Sequence, residues 1–306
     1  MKIRSLSFIF SLLLLLSPCA AFAGFDDSSE SSDELTAAIG MRGWFTQADA
    51  KWQISFPYIT SGGQIGKIES ELRFKNIDSP MFVMTGGGKI APEFSFDVLL
   101  GMGSIAGGSC TDIDRFVSPG GSLEFSRSRS DISGDVRMWG GNVYFNNAPH
   151  LPSTRFGGWG AVFGFLHYED NLTLRNGVQT NSASFDGMYM PLGPFSGLNS
   201  TYDFSWNMLK IGVLNRTQAD KNLSFLSQFA VYPYVDYHGE GYWNLRAGTG
   251  PTDFRVQSPN FVHDSNKGYG LDASLEVIFT AAENVELSAG YRHFYLYAKD
   301  GTDRVY

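Results

Sequence analysis

Two short constellations in this chain carry side chains suited to catalysis. Asp112-Ile113-Asp114 sets two carboxylates one residue apart, and Asp236-Tyr237-His238 sets a carboxylate beside an imidazole. On an extended strand, residues i and i+2 share a face, so each pair offers both its groups to one side. A histidine oriented by a neighbouring carboxylate can take a proton from water. Two carboxylates held close together do not both ionise readily, so one keeps a proton and can donate it to a carbonyl oxygen. Together the four residues fit a metal-free hydrolase that uses activated water. Each pair alone also fits a plainer role, a solvated Asp-x-Asp turn or a simple lumen hydrogen bond. The five histidines show no metal-ligand spacing. Gly86-Gly87-Gly88 lies in a strand with no helix after it, so a phosphate loop is not expected.

The elements that must position these residues are strands. Glycine accounts for 35 of 306 residues, a surplus that weakens helices and suits strands and turns. The only apolar run of helical membrane-span length is Leu6–Ala23. With Lys2 and Arg4 before it and Ala21-Phe22-Ala23 at its end, residues 1–23 read as a secretory signal cleaved before Gly24. Its removal takes away two basic residues and no acidic ones, leaving 21 basic against 31 acidic. Nucleic acid is therefore not an expected partner. Residues 24–34 are acidic and serine-rich and read as a disordered leader. Cys110 alone survives cleavage, so no internal disulfide can form.

Residues 35–306 alternate with period two. Ile68, Leu72 and Phe74 oppose Lys67, Glu69, Glu71, Arg73 and Lys75; Leu271, Leu275 and Val277 oppose Asp272, Ser274 and Glu276. Export signal, long strands and abundant aromatics point to an all-β, transmembrane, up-and-down antiparallel β-barrel rather than a soluble sandwich. The apolar parity would then face lipid and the polar parity a wet lumen, placing most of the 43% hydrophobic residues outside. Strands are expected near 35–55, 65–90, 94–112, 130–146, 157–175, 199–214, 223–245, 263–280 and 285–299, with long connections at 56–64, 113–129, 176–198 and 246–262. Nine strands are visible where an even number is expected, so the barrel reads as lacking its last strand. Alternation from Phe94 puts Asp112 and Asp114 outward unless a bulge intervenes, and the change of apolar parity at Leu209 calls for another.

The chain resembles the omptins, ten-stranded outer-membrane endopeptidases. Lys67-Ile68-Glu69-Ser70-Glu71-Leu72-Arg73-Phe74-Lys75-Asn76 resembles their second strand, and the next strand climbs through Ile105-Ala106-Gly107-Gly108 to Asp112-x-Asp114. Asp236-x-His238 falls on the seventh strand, where the family has its Asp-x-His pair. The resemblance implies a monomer in the outer membrane of a Gram-negative-type bacterium, in contact with lipid, with a catalytic set of Asp112, Asp114, Asp236 and His238 across the barrel mouth. It implies a peptide or protein substrate cut beside basic residues; the first strand, Ile39-Gly40-Met41-Arg42-Gly43-Trp44, does not supply the family's substrate-binding acid, and Glu240 is the expected substitute. It implies no cofactor beyond lipopolysaccharide as an activator. Arg115 stands where the family has tryptophan, and Phe165-Leu166-His167-Tyr168-Glu169 lacks the arginine of its lipid clamp. These departures keep open a second expectation, a non-catalytic barrel acting as porin, adhesin or structural envelope protein.

Overall fold

Alternating sequence becomes strand almost throughout the computed structural model, which describes residues 2–14, 37–91, 93–146, 158–246, 259–282 and 285–305. The strands are β1 (Lys2–Leu14), β2 (Ala37–Ile59), β3 (Ile65–Ala91), β4 (Phe94–Ile105), β5 (Gly107–Ser118), β6 (Gly121–Phe145), β7 (Gly158–Ser182), β8 (Gly193–Pro194), β9 (Ser200–Asp220), β10 (Leu223–Tyr242), β11 (Phe261–Ala282), β12 (Val285–Lys299) and β13 (Thr302–Val305). They form one 13-stranded sheet. β4 and β5 run end to end between β3 and β6 and act as one stave. Following antiparallel neighbours from β2 through β3, β4/β5, β6, β7, β9, β10, β11 and β12 to β1 returns to β2. The sheet is closed, which leaves no open edge along its staves to meet lipid.

The nine strands read from the sequence are all present, and most run further than expected. β5 and β6 meet at a tight turn at Pro119-Gly120, so the span 113–129 is strand and not a long loop. The tenth place, between β2 and β12, is taken by β1, drawn from the apolar run assigned above to the export signal. The cleavage site at 21–23 and the acidic leader at 24–34 lie outside the described residues.

Stave length sets the architecture. β3 has 27 residues, and β6 and β7 have 25 each, whereas about 9–11 tilted residues cross a bilayer. Well over half of each of these three strands therefore stands clear of the hydrocarbon, and the outward side chains report where the boundary falls. Near the short turns the outer face is apolar: Phe94, Phe96, Val98, Leu100 and Met102 on β4, Leu209, Ile211 and Val213 on β9, and Leu271, Leu275 and Val277 on β11 are exposed. Higher up it turns polar, with Gln47, Asp49 and Lys51 on β2, Glu169 on β7, and Asp203 and Ser205 on β9. The lower band faces lipid and the upper wall faces water.

The inner face changes in the opposite sense. The upper lumen is packed with Trp52, Phe74, Tyr202, Phe204, Trp206 and Tyr237, all buried in one cluster. Phe74 stacks on Tyr202 at 5.5 Å, and Trp206 lies 4.6 Å from Tyr237. The lower lumen instead holds ion pairs: Arg292 grips Asp272 with Nε–Oδ1 and Nη2–Oδ2 contacts of 2.8 and 2.7 Å, Arg216 meets Glu286 at 2.7 Å, and Arg42 meets Glu276 at 3.4 Å. The expectation that the apolar residues sit mostly outside is therefore corrected, because a second apolar population fills the upper lumen. On β9 no bulge occurs at Leu209. The even residues Tyr202 to Arg216 point inward throughout, and what changes is which face is apolar.

Phase slips occur on neighbouring strands. At Asn76 (φ 52°) β3 inserts a residue, with the Asn76 N–H donating to Asp49 Oδ1 at 2.9 Å. At the same height the stave next to it breaks at Ala106, whose N–H donates to the Asp78 carbonyl at 2.8 Å. Below the break the odd residues Ser95, Gly101 and Ile105 face inward; above it the even residues Cys110 and Phe116 do. The bulge needed to turn Asp112 and Asp114 inward is thus present. A third slip lies on β10 between Val231 and Val235.

Candidate active site in the barrel mouth

Asp112 and Asp114 stand on the inner wall, opposite Leu72 and Ser70 of β3. They line a cleft at the outer end of the lumen, whose further walls include Trp52, Phe56, Trp243 and His263. Its floor is the aromatic layer in which Trp52 and Phe74 pack about Tyr202.

The other pair lies elsewhere. Past its slip, β10 turns Val235, Tyr237, Gly239 and Gly241 inward and Asp236, His238 and Glu240 outward. His238 is 46% exposed on the outer wall, and its Nδ1 meets Asp264 Oδ1 of β11 at 2.6 Å rather than Asp236. Asp264 also binds Arg304, and His238 Nε2 lies 3.9 Å from Glu240. Asp236 accepts from Asn207 Nδ2 at 3.5 Å. Asp112 and Asp114 are therefore not brought together with Asp236, His238 and Glu240; the wall of the barrel separates them. The physical reason is the polar outer surface above the bilayer: polar parity marks the lumen only where the other side is lipid.

A different histidine shares the cleft with the aspartate pair. His263 of β11 is buried, with its ring centroid 4.1 Å from Trp52 and 5.0 Å from Phe261. Its Nδ1 is hydrogen-bonded to Asp303 of β13, and its Nε2 is buried with no hydrogen-bond partner among the described residues. Two glycines of β10 lie alongside this end of β11. Gly239 lies opposite His263 and Gly241 opposite Phe261, and a Cβ on Gly241 would come within 1.9 Å of the Phe261 ring. Sequence reasoning missed this residue because its carboxylate partner is 40 positions away on a four-residue strand, leaving no local motif. The legible signal was the pair of alternating sets, Phe261-x-His263 across from Gly239-x-Gly241.

One connection reaches back over the mouth. From the segment between β7 and β8, Phe185 stacks on Phe125 at 4.7 Å and packs with Tyr58 and Phe116. Beside it Asp186 accepts hydrogen bonds from Tyr58 Oη at 2.6 Å, from the Ser61 N–H at 2.8 Å and from the Ser61 hydroxyl. These bonds hold the Asp186 carboxyl below the usual carboxylate range, with the Ser61 hydroxyl as the largest cause and Tyr58 next. The aspartate latches the segment to the β2–β3 turn.

Among the described residues no group of three or more acidic, histidine or cysteine side chains could hold a metal ion. The cleft can nonetheless supply a carboxylate-held imidazole and a carboxylate pair around one space.

Comparison with known proteins bears on the barrel. Residues 41–306 match the family model described as Pom, Protochlamydia outer membrane protein. The crystal structure of the outer-membrane protease OmpT from Escherichia coli superposes with a TM-score of 0.52 at 11% identity, covering 100% of this chain and 97% of that one. The β domain of the Bordetella autotransporter BrkA gives a TM-score of 0.26 at 9% identity over 97% and 98% of the two chains, too low to bear on the fold. No curated protein matches in sequence. The chain thus shares the omptin barrel, and its place is the outer membrane.

Proposed function

This chain belongs to the Pom family, Protochlamydia outer membrane protein, and we propose that it is an outer-membrane endopeptidase whose water-activating base is His263. The observation that carries the reading is that a histidine oriented by a carboxylate lines the same cleft as Asp112 and Asp114. Asp303 holds the imidazole through Nδ1, which fixes the ring and leaves Nε2 to receive a proton from water. Asp112 and Asp114 share a proton, and the protonated member donates to the scissile carbonyl as negative charge builds on its oxygen. The resemblance to omptins supports a peptide substrate and lipopolysaccharide as activator. Asp236, His238 and Glu240 keep no role in the chemistry, because they face outward.

The packed upper lumen disfavours the alternative of an open porin. Trp52, Phe74, Tyr202, Phe204 and Trp206 occupy the space through which a solute would pass. The test uses full-length protein in detergent with added lipopolysaccharide and fluorogenic peptides containing paired basic residues. His263→Ala should lower kcat/KM by about 100-fold or more, the scale of removing a general base, while His238→Ala should leave it within about twofold. Equal rates for wild type and His263→Ala, or loss of cleavage only in His238→Ala, would overturn the assignment.

A further inference from the structure

A second cavity lies lower in the lumen, within the band of ion pairs, and its lining includes Asp97, Asn142, Lys210, Arg42, Arg292 and Trp44. Most of the charges there are matched in contact: Arg42 with Glu276, and Arg292 with Asp272 and Tyr232. Two are not. Lys210 is 6% exposed and makes no hydrogen bond or ion pair with any described residue. Asp97 meets only neutral donors, Asn142 Nδ2 at 2.7 Å and Tyr144 Oη at 2.6 Å. Asn142 Oδ1 is also buried without a partner.

These groups lie along one row of the wall. Asp97 is opposite Asn142, Asn142 opposite Gly164, and Gly164 opposite Lys210. The glycine matters, since a Cβ at position 164 would stand 2.3 Å from Asn142 Oδ1 and fill the space between the amide and the lysine. The row therefore offers a cation with no contact ion pair at one end, an anion with no contact ion pair at the other, and a bare acceptor beside the anion. Burying an isolated charge is unfavourable unless something pairs with it.

We propose that this cavity binds a small zwitterion of amino-acid size, its carboxylate on Lys210 and its ammonium between Asp97 and Asn142 Oδ1. A simple anion would satisfy Lys210 but face Asp97 unpaired, and a simple cation would do the reverse. The site is separate from the cleft above and does not depend on the endopeptidase reading.

The experiment is equilibrium dialysis of the full-length protein in detergent against radiolabelled 4-aminobutyrate, with butyrate and butylammonium as single-charge probes. Saturable binding of 4-aminobutyrate, about tenfold or more tighter than either single-charge probe, is the expected result. Lys210→Met and Asp97→Asn, checked for folding by heat-modifiable gel mobility, should each weaken it by about tenfold or more. The wild-type comparison stands even where a variant fails to fold. Absence of saturable 4-aminobutyrate binding, equal binding of butyrate, or undiminished binding by a folded Lys210→Met protein would overturn the proposal.

Discussion

The lower and upper halves of this barrel are built in opposite senses. Below, Leu275, Val277 and Leu209 face outward while Arg292, Asp272, Arg216 and Glu286 pair inside. Above, Lys51, Asp203 and His238 face outward while Trp52, Phe74 and Trp206 pack inside. Apart from the break at Ala106 and the slips at Asn76 and on β10, the strands run through both halves, so extended geometry is common to the two and is not what differs. The medium outside decides: lipid takes the apolar parity and leaves the polar one to satisfy itself in the lumen, whereas water takes the polar parity and leaves the aromatics to bury one another. A tall barrel is thus two solutions to the same pattern, stacked on shared staves.

The strongest way to break this comparison is in the lower lumen. Asp272→Ala strips the carboxylate from Arg292 and from the Tyr232 hydroxyl, and breaking one side of a buried pair costs about 3–5 kcal/mol. Urea unfolding in lipid vesicles, followed by heat-modifiable mobility, should show a loss of that size. A change below about 1 kcal/mol would mean that the lower lumen is wet enough for water to replace the carboxylate.

The outer face gives a second contrast. Leu275→Arg places a cation in the lipid band and should cost about 2–4 kcal/mol in vesicles, while Gln47→Arg on the upper wall should lie within about 0.5 kcal/mol of wild type. Equal costs at the two positions would mean that the boundary is misplaced.

The smallest effect belongs to the latch at the rim. Because its hydrogen bonds hold the Asp186 carboxyl below the usual range, their contribution is fully present above the carboxyl's unfolded value and is lost as pH falls through the lowered folded value. Acidification below about pH 4 should therefore speed exchange of the Ser61 amide proton, and Asp186→Asn should speed it already at neutral pH. An exchange rate that stays flat through both changes would remove the latch.

Much of the fold was legible because strand period and turn chemistry are local. Nine staves fell where alternation put them, and the slip near Ala106 could be inferred from the conflict between Phe94 and Asp112. What the sequence concealed was the medium on each face. Glu69, Glu71 and Arg73 look like lumen residues from alternation alone, yet they sit on the outer wall, because water outside and water inside impose the same pattern. The switch at Leu209 misled for the same reason: Trp206 and Ile211 are both apolar, one facing the aromatic layer and the other the lipid. The site suffered most from this ambiguity. Asp112 and Asp114 can be placed once the slip is recognised, but the local pattern marks only His238, whose aspartate neighbour lies two residues away, and gives no sign of His263, whose aspartate lies on a distant strand.

The slips at Asn76 and Ala106 lie side by side, where β3 and its neighbouring stave leave the lipid-facing band. Each lets its strand restart its alternation above that level without disturbing the count below. Insertions or deletions in the upper wall can then be absorbed at this seam, so the part exposed to the surroundings is free to diversify while the part in the membrane keeps its register.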